Sequence, residues 1–172
     1  MFMRQVPSPV VVVTAASSDG PRGITIGSFA STSLRPPLIS FNVSLDAQIY
    51  EALTSGGHFA VHILRDDQAA LADHFATRDL TSEEQFDGVA YRIDPDGTPI
   101  LLDRLGVMVC RMESVHRAGD HSIVVGEVER IDEDLEGEPL IYFDRTYRQV
   151  GSEVSPAAFE PVSDQPERAG RT

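Results

Sequence analysis

The chain contains no lysine, and Cys110 is its single cysteine. One cysteine excludes an intramolecular disulfide and a thiolate metal cluster, and it suits a reducing compartment. No apolar run approaches the roughly 18 residues of a membrane span, and the first residues lack the apolar stretch of a signal peptide. We therefore expect a soluble, cytoplasmic protein with no membrane partner, in which Cys110 is a small buried strand residue and not a reactive thiol.

Basic residues are also scarce, because 14 arginines stand against 27 acidic residues and the formal net charge is -13. Such a chain repels the phosphates of nucleic acid, so no nucleic-acid partner is expected. Its 172 residues, 41% of them hydrophobic, suffice for one domain with a core and are few for two. The acidity and the missing lysine suit either a high-salt cell or a GC-rich genome.

Short β-rich segments dominate the pattern. Val10–Ala16 is a β-branched run typical of a strand buried on both faces. Asp19 and Gly20 then indicate a hairpin, which pairs a second strand from Ile24 antiparallel with the first. A third strand, 38–43, is entered through two prolines. Many short strands with only two helices predict a small antiparallel barrel, because closure removes exposed edges.

The two predicted helices are "DAQIYEALTSGG", with Asp46 as its cap, and "RDDQAALADHF", with Asp66 or Asp67 as its cap. The acidic stretch between them and the later strands, 76–88, is predicted to be a surface loop with at most one turn of helix. Residues 152–172 carry prolines, small residues and charges without periodicity. They predict a mostly disordered tail, the alternative being an ordered arm on a partner subunit.

The second strand, within "RGITIGSFASTS", mixes glycines with hydroxyl residues. Glycines inside a strand indicate that something approaches the backbone closely, and the hydroxyls suggest that it is polar. No metal site is indicated, because the five histidines lack ligand spacing with acidic partners. The chain also lacks a G-x-S-x-G nucleophile motif and a Rossmann G-x-G-x-x-G opening a helix.

One ordered set of segments carries a resemblance. They are "VVVVTA", "GPRGITIGSFASTSLRPPLISFNVS", "FAVHIL", "FDGVAY", "AGDHSIVVGEV" and "PLIYFDRTYRQV". In this order they resemble the flavin reductase-like family of split-barrel FMN-binding proteins, over roughly residues 3–150. The resemblance implies a mainly β fold with a few helices, namely a six-stranded antiparallel split β-barrel. It also implies a homodimer with flavin near the interface, and a domain of residues 1–151 ahead of the tail.

The resemblance places flavin along the second strand, beside the end of the third strand and the two helices. The matching positions are Gly23, Ile24, Thr25, Gly27, Ser28, Asn42, Val43, Ser44, Gln48, Ile49, His74 and Phe75. Phe75 is equally well explained as a core residue, whereas Ser31 and Thr32 are better explained as hydroxyl residues on an exposed strand face.

The expected phosphate region departs from the family pattern. Relatives usually offer serine, threonine or a basic residue around positions 46–49, where this chain has Asp46, Ala47, Gln48 and Ile49. An aspartate beside a phosphate dianion is unfavourable, so backbone N–H groups of the helix start, or Arg22, Arg78 or His74, would have to supply the favourable contact. FMN is the expected cofactor, FAD is the alternative, and the atypical phosphate region favours loose exchange of the flavin.

His121 matches the position where relatives present a histidine to the nicotinamide or the flavin edge, although a lone histidine at a strand start is more often structural. Asp144, Arg145, Thr146 and Tyr147 match a stretch near the dinucleotide. The resemblance implies an NAD(P)H:flavin oxidoreductase that takes hydride from NADH or NADPH and supplies reduced flavin to a partner monooxygenase. The alternatives are an FMN-binding electron carrier or sensor, and a flavoenzyme that reduces an organic substrate directly.

Overall fold

The computed structural model describes residues 2–55, 57–133 and 136–154. Over this part the chain is mainly β with a few helices, as expected. The strands are β1 (Ser8–Pro9), β2 (Val11–Ser17), β3 (Gly20–Ile26), β4 (Ala30–Leu34), β5 (Pro37–Ser44), β6 (His58–Ile63), β7 (Tyr91–Ile93), β8 (Pro99–Leu101), β9 (Gly106–Ala118), β10 (His121–Glu133), β11 (Ile141–Phe143) and β12 (Thr146–Arg148). The helices are a 3-10 turn (Phe2–Gln5), α1 (Tyr50–Thr54), α2 (Ala69–Ala76) and α3 (Ser82–Phe86).

The main sheet has seven antiparallel strands in the order β3-β2-β6-β9-β10-β5-β4. The expected six-stranded closed barrel is not what the described hydrogen bonds form, because β3 and β4 end the sheet without pairing to each other. The extra strand arises where the predicted second strand breaks after Ile26, and the chain resumes at Ala30 as β4. Two smaller sheets, β1-β11-β12 and β7-β8, lie outside the main one.

Strand β2 is buried on both faces, as its β-branched sequence predicts. Val11 and Val13 belong to a core cluster that also holds Leu53 of α1. Val10, directly before the strand, and Val12 belong to a second cluster, in which Phe75 of α2 packs. The predicted hairpin is confirmed, because β2 and β3 pair antiparallel. Helix α1 therefore packs on one face of this strand, and α2 packs on the other.

The helix caps and the number of helices differ from the sequence predictions. Asp46 does not cap α1, because a turn closed by the Tyr50 N–H and the Ala47 carbonyl precedes that helix, and Ile49 is its N-cap. Gln68, not Asp66 or Asp67, precedes α2, and its side chain makes no cap hydrogen bond there.

The third helix, α3, lies in the stretch predicted to be mostly loop. It begins with a capping box, in which Thr81 and Glu84 bond each other's backbone N–H groups. The two reciprocal bonds satisfy donors that a five-residue helix could not otherwise pair.

Cys110 is fully buried on β9, as predicted, and its burial, with the charge of Glu129, raises the pKa of the thiol to about 12. The predicted tail, 152–172, lies outside the described residues from position 155 onward. Across the described ranges, every helix is too short or too polar to cross a membrane.

Candidate active site

A cavity of about 840 Å³ lies between the free edge of β3, the end of β5 and the loop that follows α2. Its lining residues are Gly23, Ile24, Thr25, Ile26, Gly27, Ser28, Asn42, Ser44, Asp46, Ala47, Gln48, Ile49, Phe75, Ala76, Thr77, Arg78, Asp79, Gln85, Ala118, His121 and Ile123. Every position expected to contact flavin is in this set except Val43 and His74. The size falls within the range of about 300–1,000 Å³ that is usual for ligand sites.

The backbone of β3 forms one wall of the cavity. The N–H of Gly23 donates to the Gln85 side chain, and the Gln85 amide donates back to the Gly23 carbonyl, each at 2.9 Å. Hydrogen bonding alternates along an antiparallel pair, so the backbone N–H and C=O of Thr25 also point away from β2. Thr25 therefore offers a donor and an acceptor at the edge of the sheet, while Gly23 is already bonded within the protein.

The ring of Phe75 fills the space in which a side chain at position 23 would lie. A Cβ atom at Gly23 would lie 2.5 Å from Cε1 of the Phe75 ring, which leaves no room for any other residue type. Gly27 is not constrained in this way, because a Cβ there would lie 3.5 Å from Ser8 Cβ, an ordinary contact. Phe75 is 1% exposed, so it is a core residue that also reaches the cavity.

Ser28 and Asn42 join two walls of the cavity. The Asn42 N–H donates to Ser28 Oγ at 2.9 Å, which ties the loop after β3 to β5. Asn42 is exposed and aligns with Ile123 of β10 in the sheet register, and both line the cavity. This part of the cavity therefore combines an amide with an apolar side chain.

The phosphate region predicted from the sequence contains an ion pair. Asp46 Oδ2 lies 3.3 Å from Arg78 Nη1, and the Ser44 hydroxyl donates to the other carboxylate oxygen. That hydrogen bond, followed by the charge of Arg78, lowers the pKa of Asp46. Asp46 is therefore ionised at neutral pH and faces an arginine within the cavity.

His121 stands at the start of β10, with its side chain 47% exposed at the cavity. Its Nδ1 lies 2.8 Å from Asp120 Oδ1, and this hydrogen bond is the main cause of a lowered pKa of Asp120. The Asp120 carbonyl accepts from the Leu45 N–H, which holds the turn against the end of β5. Among the described residues, Nε2 of His121 makes no hydrogen bond.

Two of the expected flavin positions lie outside the cavity lining. The Val43 side chain belongs to the core and is 1% exposed. His74 donates from Nε2 to the Gln85 carbonyl at 2.8 Å, so it connects α2 to α3.

The expected nicotinamide stretch lies elsewhere on the surface. Asp144 and Arg145 have φ values of 47° and 63° and form the turn between β11 and β12. The Tyr147 hydroxyl donates to Asp73 of α2 at 2.9 Å, and burial followed by this contact raises the pKa of Tyr147 to about 12. These contacts assign the stretch a structural role within one subunit, and its role toward the dinucleotide stays a prediction.

Gln85, Thr77 and Ile123 line the cavity but were not predicted from the sequence, and Arg78 was named only as one possible source of charge. The T-x-x-E pattern of the capping box is the signal that could have located α3, and with it Gln85. Within the described ranges, no group of three or more His, Cys, Asp or Glu residues could hold a metal ion.

Comparison with known proteins gives consistent matches. The sequence model of the flavin reductase like domain family matches residues 3–151. The FMN reductase (NADH) SmoA of Agrobacterium fabrum is 39% identical over 133 residues, 77% of this chain and 74% of its own. The reductase component of 4-hydroxyphenylacetate 3-monooxygenase from Thermus thermophilus is 38% identical over 143 residues, 83% of this chain and 89% of its own.

Among solved structures, the chain is similar to the NADH:FAD oxidoreductase SgcE6 of Streptomyces globisporus C-1027, solved in complex with NAD and FAD fragments. The TM-score is 0.81 at 31% identity, with 90% of this chain and 92% of that chain covered. The likeness therefore extends over nearly all of both chains.

Proposed function

Because this chain belongs to the family of flavin reductase-like domains, we propose that it is an NAD(P)H:flavin oxidoreductase. The flavin, when bound, supplies the acceptor for a hydride from the reduced nicotinamide. The protein then contributes binding, orientation and exclusion of water, and no side chain has to act as an acid or a base. FMN is the preferred cofactor in this proposal, FAD is the alternative, and either NADH or NADPH is the hydride donor.

The cavity beside β3 is the observation that carries the proposal. Its residues fit a flavin in two respects. Thr25 presents a backbone donor and acceptor at the sheet edge, which suits the hydrogen-bond donors and acceptors along the edge of a planar heterocycle. Ile24 and Ile123 add apolar surface against which planar rings pack.

The residues of this chain have separable tasks in the proposal. Thr25 and Asn42 would hold the polar edge of the ring system, and Ile24, which lines the same cavity, would pack against it. His121 is held by Asp120, so its exposed imidazole can position the nicotinamide. An oriented stack of the two rings is the main requirement for hydride transfer, because it replaces a bimolecular encounter by a positioned one.

We assign the flavin site to a domain of residues 1–151, acting as a cytoplasmic homodimer that supplies reduced flavin to a monooxygenase. The Thermus thermophilus relative is the reductase component of a monooxygenase, which supports such a partner. His121 and Ile123 of β10 line the cavity and are both exposed, and this supports a second subunit as its cover.

The test is the oxidation of NADH and NADPH by the purified protein with and without added FMN, FAD or riboflavin. We expect turnover that depends on both dinucleotide and flavin. An electron carrier would bind FMN yet leave the dinucleotide unoxidised, and that result would refute the proposal. A reductase of organic substrates would show tightly bound flavin in its absorbance spectrum and slow turnover with free flavin.

A further inference from the structure

The Asp46–Arg78 ion pair connects two segments that are far apart in sequence. Asp46 follows β5 and Arg78 follows α2, and their side chains meet at 3.3 Å within the cavity lining. Both side chains are well exposed, at 67% and 76%, so the pair can open without any change in the core. An exposed pair of this kind contributes little to the stability of the fold. Its position in the cavity instead suggests a role in ligand binding.

The charges around the cavity make this pair important for an anionic ligand. Arg78 is the only arginine among the described lining residues, and two carboxylates, Asp46 and Asp79, belong to the same lining. The whole chain has a formal net charge of -13. A phosphate that enters the cavity therefore meets one permanent cation, and Asp46 already holds it.

We propose that Arg78 binds the phosphate of a phosphorylated flavin and that Asp46 competes with the phosphate for Arg78. This inference rests on the proposed function, since it assigns a flavin to the cavity. The Ser44 hydroxyl bonds the Asp46 carboxylate, which keeps the competing anion in place. The phosphate of FMN must displace the Asp46 carboxylate from Arg78 before it binds, so FMN is held loosely and exchanges readily.

The competition acts on the phosphate and not on the ring system. Riboflavin, which has the same rings and no phosphate, does not have to displace Asp46. Asp46 and Arg78 are therefore specificity residues that set how much the phosphate contributes to affinity. Asp46 thereby lowers the affinity for FMN, which allows the reduced flavin to leave the cavity.

The experiment is an equilibrium titration of FMN and of riboflavin by flavin fluorescence, in the absence of dinucleotide, so that no turnover is needed. We expect Asp46→Asn to tighten FMN by about fivefold at low ionic strength and riboflavin by less than about twofold. The difference should fall below about twofold at high salt, because exposed charges are screened. Arg78→Gln should weaken FMN by about fivefold and leave riboflavin nearly unchanged.

The double variant tests the competition itself. In the Arg78→Gln background, Asp46→Asn should give less than half of its gain for FMN, because no cation is left to release. The matched control is Asp67→Asn, which removes an exposed carboxylate that pairs with Arg65 outside the cavity. This control should leave both affinities unchanged, and melting curves of all variants should superimpose on that of the wild type.

Equal effects on FMN and riboflavin, full additivity in the double variant, or an equal effect of Asp67→Asn would each overturn the inference. If any of these occurs while the wild type oxidises NADH or NADPH with flavin, the proposed function stands and only the competition fails. If the wild type neither binds flavin nor oxidises dinucleotide, both proposals are wrong.

Discussion

His62 is a buried titratable residue, 0% exposed between β2 and β9. Its Nδ1 lies 3.0 Å from the Val12 carbonyl, and its Nε2 lies 3.0 Å from the Leu101 N–H. A carbonyl only accepts and an N–H only donates, so the imidazole is neutral, with its proton on Nδ1. Burial is the main cause that lowers the pKa of His62 to about 3.

The low pKa of His62 predicts a loss of stability in mild acid. The folded-state pKa lies below the ordinary value of 6.5, so the contribution is complete above pH 6.5 and is lost as the pH falls from there toward 3. Between pH 7.5 and pH 5 we expect the free energy of unfolding to fall by about 2 kcal/mol through this residue. Urea titrations at each pH measure it.

His62→Gln supplies the comparison for that measurement. Glutamine does not titrate, so the variant should be less stable than the wild type at pH 7.5 and should lose less stability toward pH 5. Parallel pH profiles of the two proteins would show that another group causes the acid sensitivity.

Replacement of His121 should change the rate of flavin reduction and not the stability of the protein. If its imidazole positions the nicotinamide, His121→Ala should leave flavin affinity nearly intact and lower kcat/KM for the dinucleotide by about tenfold to a hundredfold, the loss of a contact of about 1–3 kcal/mol. Stopped-flow reduction of the flavin-loaded protein measures this rate.

The matched control is His116→Ala. His116 bonds Ser114 on β9 and does not line the cavity, so it should reduce flavin at the wild-type rate. A structural role of His121 would instead give a lower melting temperature, weaker flavin binding and no selective kinetic defect.

At the scale of elements, α3 holds the cavity edge of β3. The helix begins at the capping box of Thr81 and Glu84, and Gln85 in its last turn bonds both backbone groups of Gly23. His74 of α2 donates to the Gln85 carbonyl, so α2 holds the backbone of the residue whose side chain is bonded to Gly23. A five-residue helix with three buried residues thereby holds the free edge of the sheet in place.

Gln85→Leu should break this connection. It leaves the buried N–H and C=O of Gly23 without partners, at a cost of about 2–4 kcal/mol in the free energy of unfolding. Flavin binding should weaken as well, because Thr25 lies two residues further along the same edge. Urea unfolding and flavin titration measure the two effects.

Glu83→Gln, an exposed change on the same helix, is the control for Gln85→Leu and should alter neither quantity. Normal stability of Gln85→Leu would show that water replaces the amide without loss.

The elements that could be predicted from the sequence are those with strong local signals. The β-branched run of β2 and the Asp19-Gly20 turn suffice for the first hairpin, because burial and turn geometry are both encoded within a few residues. The helix α3 was predicted only as a short turn within a loop, because five residues show no apolar periodicity. Asp46 was wrongly assigned as a cap because a turn, invisible in the pattern, separates it from α1.

The candidate site was harder to predict from the sequence than the fold. Thr25, Asn42 and His121 were found by resemblance to a family, not by spacing, since they come from three strands that meet only in the folded chain. Gln85 and the pairing of Arg78 with Asp46 depend on contacts between residues more than 30 positions apart. No local pattern encodes such distances.

At the scale of the whole molecule, a homodimer is expected. The edge strand β4 is largely exposed, and Leu34 at its end is 86% exposed, which is unusual for a large apolar side chain at the end of an unpaired edge. Light scattering at micromolar concentration should therefore give twice the mass of one chain. A mass of 18.8 kDa would contradict the expectation.

The strand order of the main sheet also constrains how the chain folds. β2 with β3, β4 with β5 and β9 with β10 are each neighbours in both sequence and sheet, so each pair closes through a short loop at small entropic cost. β6 has no such neighbour, and it pairs with β2 on one side and β9 on the other. The three hairpins are local, whereas β6 joins two of them and the pairing of β5 with β10 joins the third. The main sheet is therefore completed by contacts between residues far apart in sequence, which slows folding relative to a sheet of hairpins alone.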